Sequence, residues 1–276
     1  MIGSASSVKS EKSPRHIPTA LTIAGSDSGG GAGIQADLKT FAALGVHGVT
    51  ALTCVTAQNP RRVLGIQPCS ESILRRQLIA VFEQFAPGAA KTGMLYSARN
   101  IRIVAEFFRN RRIPLVVDPV MVSTSGAQLL EPAAIYVLCR RLFPIATLIT
   151  PNLGEAEALL DVRLNSVEGL RTAAKELHRR FGTAALVKGG HLRGFKEAVD
   201  ILYDGSKEWL LSAPFVRGLR THGTGCTYSA AIASYLATGL PLALSVARAK
   251  EFVTQAILQS QSAGGHCVLN SFWQRR

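Results

Sequence analysis

Short apolar runs alternate with helix-forming segments along most of this chain, and this alternation constrains its fold more than any other feature. Strands separated by helices of this kind pair mainly in parallel, with the helices covering both faces of the sheet. The sequence therefore predicts an α/β fold with a mostly parallel central sheet. We predict strands over residues 20–24, 49–56, 63–66, 89–92, 115–117, 147–149, 184–187, 199–203 and 208–211, and helices over 34–44, 71–85, 98–110, 132–141, 154–160, 167–180, 226–237 and 242–262.

Polar residues follow the predicted strands directly and repeatedly. In open parallel sheets, ligands bind outside the carboxyl ends of the strands. One shared site at that edge is therefore favoured over a merely globular domain. The polar groups that follow strands are Gly25-Ser26-Asp27, Ala57-Gln58-Asn59, Asp118-Pro119, Thr150-Pro151-Asn152 and Lys188-Gly189-Gly190.

The segment Arg220–Ser229 contains Gly223, Thr224, Gly225 and Cys226 ahead of a run of small residues. Two glycines allow consecutive amides to turn inward, and a helix beginning at about Cys226 directs its free N–H groups to the same point. The pattern predicts an anion hole with a thiol at its rim. A helix N-terminus should lower the thiol pKa and give thiolate near neutrality. The alternative is an ordinary glycine-rich turn before a buried helix.

A second glycine-rich segment, residues 29–33, joins the first strand to the first helix and formally fits a dinucleotide fingerprint. That fingerprint needs an acidic residue about 20 positions later to bind the ribose. No Asp or Glu occurs between Lys39 and Ser70, so a nicotinamide oxidoreductase is disfavoured. Gly-Lys never occurs as a dipeptide, which excludes a P-loop of the G-x-x-x-x-G-K-[ST] type.

Five polar residues are candidate ligands, and four of them have a plainer alternative. Asp37 lies in the first turn of a helix, where it can accept a substrate hydroxyl or simply complement the helix dipole. The amide of Gln58 can pair with a heteroaromatic edge or cap a strand. Asp118 and Glu155 offer hard oxygen ligands for Mg²⁺, although Glu155 also suits a helix N-terminus. Lys188 can neutralise phosphate or lie at a turn on the surface.

Composition limits the partners. The net charge is +13, from 31 Lys and Arg against 18 Asp and Glu, which suits nucleic acid, an acidic membrane surface or a phosphorylated substrate. Aromatic residues make up only 7% and the basic residues form no long stripe, so nucleic acid is disfavoured. Five scattered cysteines without a C-x-x-C pair indicate a reducing, cytoplasmic compartment.

Two segments could be mistaken for targeting or membrane elements. Residues 1–17 lack an apolar run and predict a disordered tail, followed by one domain over residues 18–276. Residues 228–247 carry no charge, but Gly239-Leu240-Pro241 interrupts them. We therefore expect two buried helices in a soluble protein, with no membrane partner.

Seven motifs occur together in an order and spacing that resemble the hydroxymethylpyrimidine/phosphomethylpyrimidine kinases of thiamine biosynthesis, over residues 19–262. They are Ala-Gly-Ser-Asp-Ser-Gly-Gly-Gly-Ala-Gly-Ile-Gln-Ala-Asp-Leu-Lys-Thr-Phe (24–41), Thr-Ala-Gln-Asn (56–59), Lys-Thr-Gly-Met-Leu (91–95), Val-Asp-Pro-Val-Met-Val (117–122), Ile-Thr-Pro-Asn-Leu-x-Glu-Ala (149–156), Val-Lys-Gly-Gly-His (187–191) and Thr-His-Gly-Thr-Gly-Cys-Thr (221–227).

The resemblance implies a three-layer αβα ribokinase-like fold, ATP and Mg²⁺ as cofactors, and a homodimer. By resemblance, Asp118 and Glu155 serve the metal, Cys226 and Lys188 are catalytic, and an aminopyrimidine pocket and a phosphate site complete the set. The pocket is lined by Gly25, Asp37, Gln58, Met94 and Val120, and the phosphate site by Asn152, Lys188, Gly223, Thr224 and Gly225.

The implied reaction is ATP-dependent phosphorylation of 4-amino-5-hydroxymethyl-2-methylpyrimidine and then of its monophosphate. Many sugar kinases of the superfamily have Asp as base at the position of Cys226, whereas the pyrimidine kinases and a related group of pyridoxal kinases have Cys. Residues 60–63 depart from the family's usual Thr-x-x-Gly-Val. A pyridoxal kinase and a non-catalytic pyrimidine-binding module are the alternatives.

Overall fold

Nine strands of the described chain form one sheet, in the order β3-β2-β1-β4-β5-β6-β7-β8-β9. The computed structural model describes residues 16–121, 130, 132–190, 192, 197–216 and 222–274. Strands β2, β1, β4, β5, β6 and β7 pair in parallel, and β3, β8 and β9 add antiparallel edges. The strands are β1 (Thr19–Asp27), β2 (His47–Asn59), β3 (Arg62–Pro68), β4 (Ala89–Thr92), β5 (Leu115–Val117), β6 (Leu148–Ile149), β7 (Ala184–Lys188), β8 (Glu197–Tyr203) and β9 (Glu208–Pro214).

Helices cover both faces of the sheet. One core cluster lies between the sheet and α2 to α6, and a second lies between the sheet and α1, α7 and α8. This gives the three layers that the sequence resemblance implies. The helices are α1 (Gly33–Ala43), α2 (Glu71–Gln84), α3 (Ala98–Phe108), α4 (Pro132–Val137), α5 (Leu153–Leu160), α6 (Val167–Phe181), α7 (Thr224–Ala237) and α8 (Leu242–Leu258).

Most predicted elements are found within a few residues of their expected ends, with two differences. Helix α4 stops at Val137, and the chain continues as a π-helical turn, Leu138–Leu142. Helix α8 stops at Leu258, not at residue 262, because the chain turns back as a hairpin of β10 (Gln261–Ala263) and β11 (His266–Val268). Gly264 and Gly265 both have positive φ, as a tight hairpin turn requires.

The uncharged stretch 228–247 is divided between α7 and α8, as predicted. Gly239 has a φ of 86° and Pro241 is the N-cap of α8. Across the described ranges, every helix is too short or too polar to span a bilayer. The predicted tail, residues 1–17, lies outside the described residues up to position 15.

The chain changes direction within the sheet at β1. Its neighbours are β2 on one side and β4 on the other, so the loops after β1 and β4 diverge and leave a crevice at the carboxyl edge. Crevices at such switch points are where ligands bind in open α/β sheets. The polar residues that follow the predicted strands therefore share one edge of the molecule.

Candidate active site

A cavity of about 730 Å³ lies at the carboxyl edge of the sheet. Every predicted site residue except Asp37 lines it. The cavity therefore joins the expected pyrimidine pocket to the expected anion hole. The predicted residues in its wall are Gly25, Gln58, Met94, Asp118, Val120, Asn152, Glu155, Lys188, Gly223, Thr224, Gly225 and Cys226.

The glycine turn before α7 is fixed by its contact with the other glycine-rich segment. Helix α7 begins at Thr224, two residues earlier than predicted, with Gly223 as its N-cap at a φ of 84°. A Cβ on Gly223 would lie 1.7 Å from the Gly31 carbonyl oxygen, so only glycine fits. The two glycine-rich segments therefore touch through their backbones, and the N-terminus of α7 faces the cavity. Arg220 and Thr221 lie outside the described residues.

The Cys226 thiol lies in the cavity wall, but its acidity is the opposite of the prediction. Burial raises the pKa of Cys226 to about 11, although the nearby Lys91 ammonium acts to lower it. The expected thiolate near neutrality is therefore wrong: desolvation of the charged form outweighs the cations around it. At neutral pH the group is a thiol.

Lys188, at the end of β7, forms an ion pair with Asp118 at the end of β5. Its Nζ lies 3.1 Å from Asp118 Oδ1, which also accepts a hydrogen bond from Thr150 Oγ1 at 3.2 Å. Although burial would lower the pKa of Lys188, Asp118 and Glu155 hold it above its ordinary value. A Cβ on Gly225 would lie 3.4 Å from the Lys188 Nζ, so this charged pair approaches the start of α7 closely.

Asn152 and Glu155 form a capping box at the N-terminus of α5. Asn152 Oδ1 accepts from the Glu155 amide at 3.0 Å, and Glu155 Oε2 accepts from the Asn152 amide at 2.9 Å. Glu155 Oε1 also accepts from the Met121 amide at 3.1 Å. Val120, the residue before Met121, has a φ of 45°, which is rare for a β-branched residue. This strained turn presents the Met121 amide to Glu155 and keeps the carboxylate at the cavity.

The donor set suits a hard divalent cation held mainly through water. Asp118 and Glu155 are both in the cavity wall, and burial raises the pKa of Glu155. Among the described residues, no three His, Cys, Asp or Glu side chains gather into a metal site. Two carboxylates supplemented by water and phosphate oxygens match the preference of Mg²⁺, so these residues fit the ion.

Asp37 does not line the cavity. Its side chain is fully buried, and it accepts hydrogen bonds from Lys91 Nζ and from Thr22 Oγ1, the latter at 2.6 Å. The prediction that Asp37 lines the pyrimidine pocket is therefore wrong, because its side chain is fully buried and is not part of the cavity wall. The prediction that Asp37 lies in the first turn is also wrong, because α1 begins at Gly33 and has no acidic residue in its first turn. The sequence gave no sign of the buried lysine on β4.

The loop after β1 is filled by a carboxylate of the protein itself. Asp27 Oδ1 accepts from the Gly29 amide at 2.8 Å, and Oδ2 accepts from the Gly31 and Ala32 amides at 3.1 and 2.8 Å. These amides would otherwise suit a dinucleotide phosphate. The structure thus gives a physical reason, beyond the missing acidic residue, why the fingerprint does not mark a nicotinamide site.

Two further cavity residues were not among the predicted site residues, Asp27 and His222. His222 Nε2 lies 3.1 Å from Asp27 Oδ2 and 3.3 Å from the side-chain amide of Gln58. His222 stands in the quoted Thr-His-Gly-Thr-Gly-Cys-Thr motif, and Asp27 stands in the motif after β1. Their positions in two separate motifs were the only available signal, because nothing in the sequence pairs them.

The other end of the cavity is lined mainly by residues that sequence patterns did not indicate. Its wall comes from β8, the segment after β9, and α8. A buried ion pair, Lys250 Nζ to Asp200 Oδ2 at 2.7 Å, lies at this end. Apolar side chains on a buried helix resemble ordinary core residues, so the sequence gave no signal. The residues in this wall include Ala198, Pro214, Phe215, Val216, Val253, Thr254 and Ile257.

Comparison with known proteins gives matches over most of the chain. Residues 27–270 match the family model described as phosphomethylpyrimidine kinase. The chain is 48% identical to a hydroxymethylpyrimidine/phosphomethylpyrimidine kinase of Streptomyces coelicolor, over 90% of this chain and 91% of that protein. It is 49% identical, over 91% of its length, to the thiamine biosynthesis bifunctional protein ThiED of Geobacter sulfurreducens, of which it spans only about half (51%).

A solved structure with a similar fold is that of a Bacillus subtilis pyridoxal kinase in complex with ADP. The two chains are 36% identical and superpose with a TM-score of 0.86, over 94% of this chain and 99% of that one. This likeness confirms the predicted ribokinase-like α/β fold.

Proposed function

This chain belongs to the phosphomethylpyrimidine kinase family, and we propose on that premise that it transfers the γ-phosphoryl group of ATP to an aminopyrimidine alcohol and then to the resulting monophosphate. The observation that carries the proposal is the shared cavity. Gly25, Gln58 and Met94 line one part of it, and the N-terminus of α7 with Lys188 lines the adjacent part. An alcohol held at the first part would face a phosphoryl group held at the second.

The pyrimidine is held by the ends of β1, β2 and β4. Gln58 offers a side-chain amide to the ring edge, and Gly25 gives the ring room. A Cβ on Gly25 would lie 2.8 Å from the Cys54 sulfur and 3.0 Å from the Met94 methyl carbon, so a larger residue would displace Met94, which lines the pocket. Val120 borders the same space.

Phosphoryl transfer has a loose transition state, so positioning and charge stabilisation contribute most of the rate. The acceptor hydroxyl oxygen bonds to the γ-phosphorus while the bond to the leaving ADP oxygen breaks. Amides at the start of α7, with Lys188, stabilise the charge on the equatorial oxygens. Asn152 belongs to the phosphate site because it lies beside Lys188 in the cavity wall, joined by a β-bridge.

Cys226 is the proposed acceptor of the hydroxyl proton. Since its pKa is about 11, only a small thiolate fraction exists at neutral pH. A loose transition state asks little of the base until the new P–O bond is nearly formed, when the hydroxyl proton has become acidic. Cys226 can therefore act as the base despite its raised pKa, and this raised pKa makes the rate of the chemical step depend on pH.

Asp118 and Glu155 are the proposed Mg²⁺ site. When bound there, the ion would neutralise phosphate oxygens. Lys188 shares Asp118 with that site, so the ammonium and the carboxylate fix each other's position beside the phosphates. Lys250 and Asp200 mark the far end of the cavity, whose apolar wall suits the nucleotide base.

The competing function is that of a pyridoxal kinase, and the similarity to the 36% identical Bacillus subtilis pyridoxal kinase structure is the reason to test it. The higher identity to the pyrimidine kinase, 48%, favours the aminopyrimidine. The test is a kinase assay with hydroxymethylpyrimidine, its monophosphate and pyridoxal side by side. We expect kcat/KM to be highest on hydroxymethylpyrimidine, with turnover of its monophosphate. A higher value on pyridoxal, or ATP turnover on none of the three, would reject the proposal; the second result would favour a binding module.

A homodimer is proposed on the evidence of the β3 edge of the sheet. Val55 and Leu64 are 49% and 64% exposed on the β2–β3 hairpin, and Ile73 on α2 is also exposed. Exposed apolar side chains on and beside an edge strand suit association with a second copy. Light scattering of the purified protein tests this proposal.

The five unpaired cysteines support a reducing, cytoplasmic compartment.

A further inference from the structure

Three side chains from different parts of the chain meet at the pyrimidine end of the cavity. His222, just before the anion hole, has its Nε2 3.1 Å from Asp27 Oδ2 and 3.3 Å from the terminal atom of the Gln58 amide that is assigned as Nε2. A Cβ on Gly31 would lie 2.8 Å from the imidazole, so the ring rests on the glycine loop. Each of the three side chains lines the cavity.

Asp27 is held as a carboxylate. It accepts hydrogen bonds from the backbone amides of Gly29, Gly31 and Ala32 as well as contacting His222. Burial alone would raise the pKa of Asp27, but the His222 and amide hydrogen bonds keep it below its ordinary value. Since a carboxylate only accepts, the imidazole nitrogen facing it must carry a proton. This holds for a neutral Nε2–H ring and for an imidazolium.

The protonated Nε2 determines which end of the Gln58 amide can face it. A nitrogen that carries a proton has no lone pair to offer to an NH₂ group. The amide of Gln58 is therefore assigned in the flipped orientation, with its carbonyl oxygen at the position next to His222 Nε2. The Gln58 backbone is fixed separately, because Ser28 Oγ accepts from its amide at 2.8 Å and donates to its carbonyl at 2.7 Å. The Gln58 side chain can still rotate about its own bonds, and the contact with His222 restricts the orientation of its amide.

We propose that Asp27 and His222 are positioning residues that orient the Gln58 amide so that its NH₂ faces the cavity and donates to a ring-nitrogen lone pair of the substrate. This inference rests on the proposed function, because it makes the recognised group the ring nitrogen of the aminopyrimidine. A fixed donor discriminates against a ring that presents C–H at that point, since the N–H would be left unpaired. A freely rotating amide would discriminate less.

The test compares the natural alcohol with two pyridine analogues, each having one ring nitrogen replaced by C–H. For wild type we expect one analogue to lose roughly tenfold or more in kcat/KM. In His222→Leu, the ratio of kcat/KM for the natural alcohol to kcat/KM for that analogue should fall to about threefold or less, mainly through a change in KM. His222→Gln should restore it, because its amide nitrogen is the same number of bonds from the main chain as Nε2. Calorimetric binding of the alcohols without ATP should reproduce these ratios.

Two further variants separate this role from a general structural one. In a Gln58→Ala background, His222→Leu should leave the ratio unchanged, because there is no amide to orient. A His222→Leu protein that keeps the wild-type ratio would overturn the inference, as would a loss of the ratio that His222→Gln fails to restore. If wild type phosphorylates pyridoxal but not the aminopyrimidine, the proposed function fails instead, and that result is distinct from an unchanged ratio in an active pyrimidine kinase.

Discussion

The ammonium of Lys91 lies 3.1 and 3.0 Å from the two carboxylate oxygens of Asp37, and neither side chain is exposed to solvent. The pair joins β4 to α1 beneath the cavity. Although burial acts to lower the pKa of Lys91, the carboxylates of Asp37 and Asp118 raise it, so the lysine stays charged. Asp37 therefore holds a buried cation that joins β4 to α1.

Lys91→Met should be strongly destabilising, because it leaves the Asp37 charge buried without its partner. Removal of one member of a buried ion pair costs about 3–5 kcal/mol. The free energy of unfolding, measured with urea, should fall by that amount. The triple variant Lys91→Met/Asp37→Leu/Thr22→Val, which also removes the Thr22 hydroxyl that donates to Asp37, should recover most of the loss. If the free energy of unfolding of Lys91→Met lay within about 1 kcal/mol of the wild-type value, the ion pair would contribute little to stability.

Much of the fold could be predicted because its signals are local. Apolar runs bounded by polar residues located the strands, and the rule that ligands bind at strand ends located the cavity wall. The failures involve contacts between distant segments. Asp37 and Asp27 are both acids near the first helix, and only tertiary packing places Lys91 beside Asp37 and His222 beside Asp27. The end of α8 was missed because the helix was continued to residue 262, whereas the turn at Gly264-Gly265 pairs residues 261–263 with 266–268 as a hairpin.

Gly223→Ala should disrupt the anion hole more than an equivalent change elsewhere. Gly223 and Gly239 have nearly the same φ, 84° and 86°, but a Cβ on Gly223 would meet the Gly31 carbonyl at 1.7 Å whereas a Cβ on Gly239 meets nothing within 4 Å. Gly239→Ala should therefore lower the free energy of unfolding only by the strain of an alanine at positive φ, about 1 kcal/mol. Gly223→Ala should cost more in stability and lower kcat by about 10²-fold. Equal effects of the two variants on kcat would show that the contact with Gly31 is unimportant.

The Cys226 thiol should react slowly with iodoacetamide at neutral pH. The thiolate is the nucleophile, and burial raises the pKa of Cys226 to about 11, so the reactive fraction should still be rising at pH 9. Mass spectrometry of the peptide containing Cys226 separates its reaction from that of the other four cysteines. A rate that reaches a plateau by pH 8 would instead show that the helix N-terminus lowers the pKa, as the sequence first suggested.

The same raised pKa predicts how turnover depends on pH if Cys226 accepts the hydroxyl proton. Below about pH 11 the thiolate fraction increases tenfold for each pH unit, so kcat should rise between pH 7 and 9 wherever the chemical step limits the rate. Cys226→Asp replaces the thiol with a group that is ionised throughout this range at its ordinary pKa of about 3.9. Its kcat should therefore be nearly flat with pH.

Cys226→Ala is the matched control for that comparison. It should lose about 10²–10³-fold in kcat while binding the pyrimidine alcohol about as tightly as wild type, because Cys226 acts on the reacting hydroxyl and not on the ring. Single-turnover measurements across the pH range, with calorimetric binding alongside, give both quantities. Near-normal kcat in Cys226→Ala, or a steep alkaline rise that persists in Cys226→Asp, would remove the thiol from the mechanism and leave positioning and charge stabilisation by Lys188 and the α7 amides as the source of the rate.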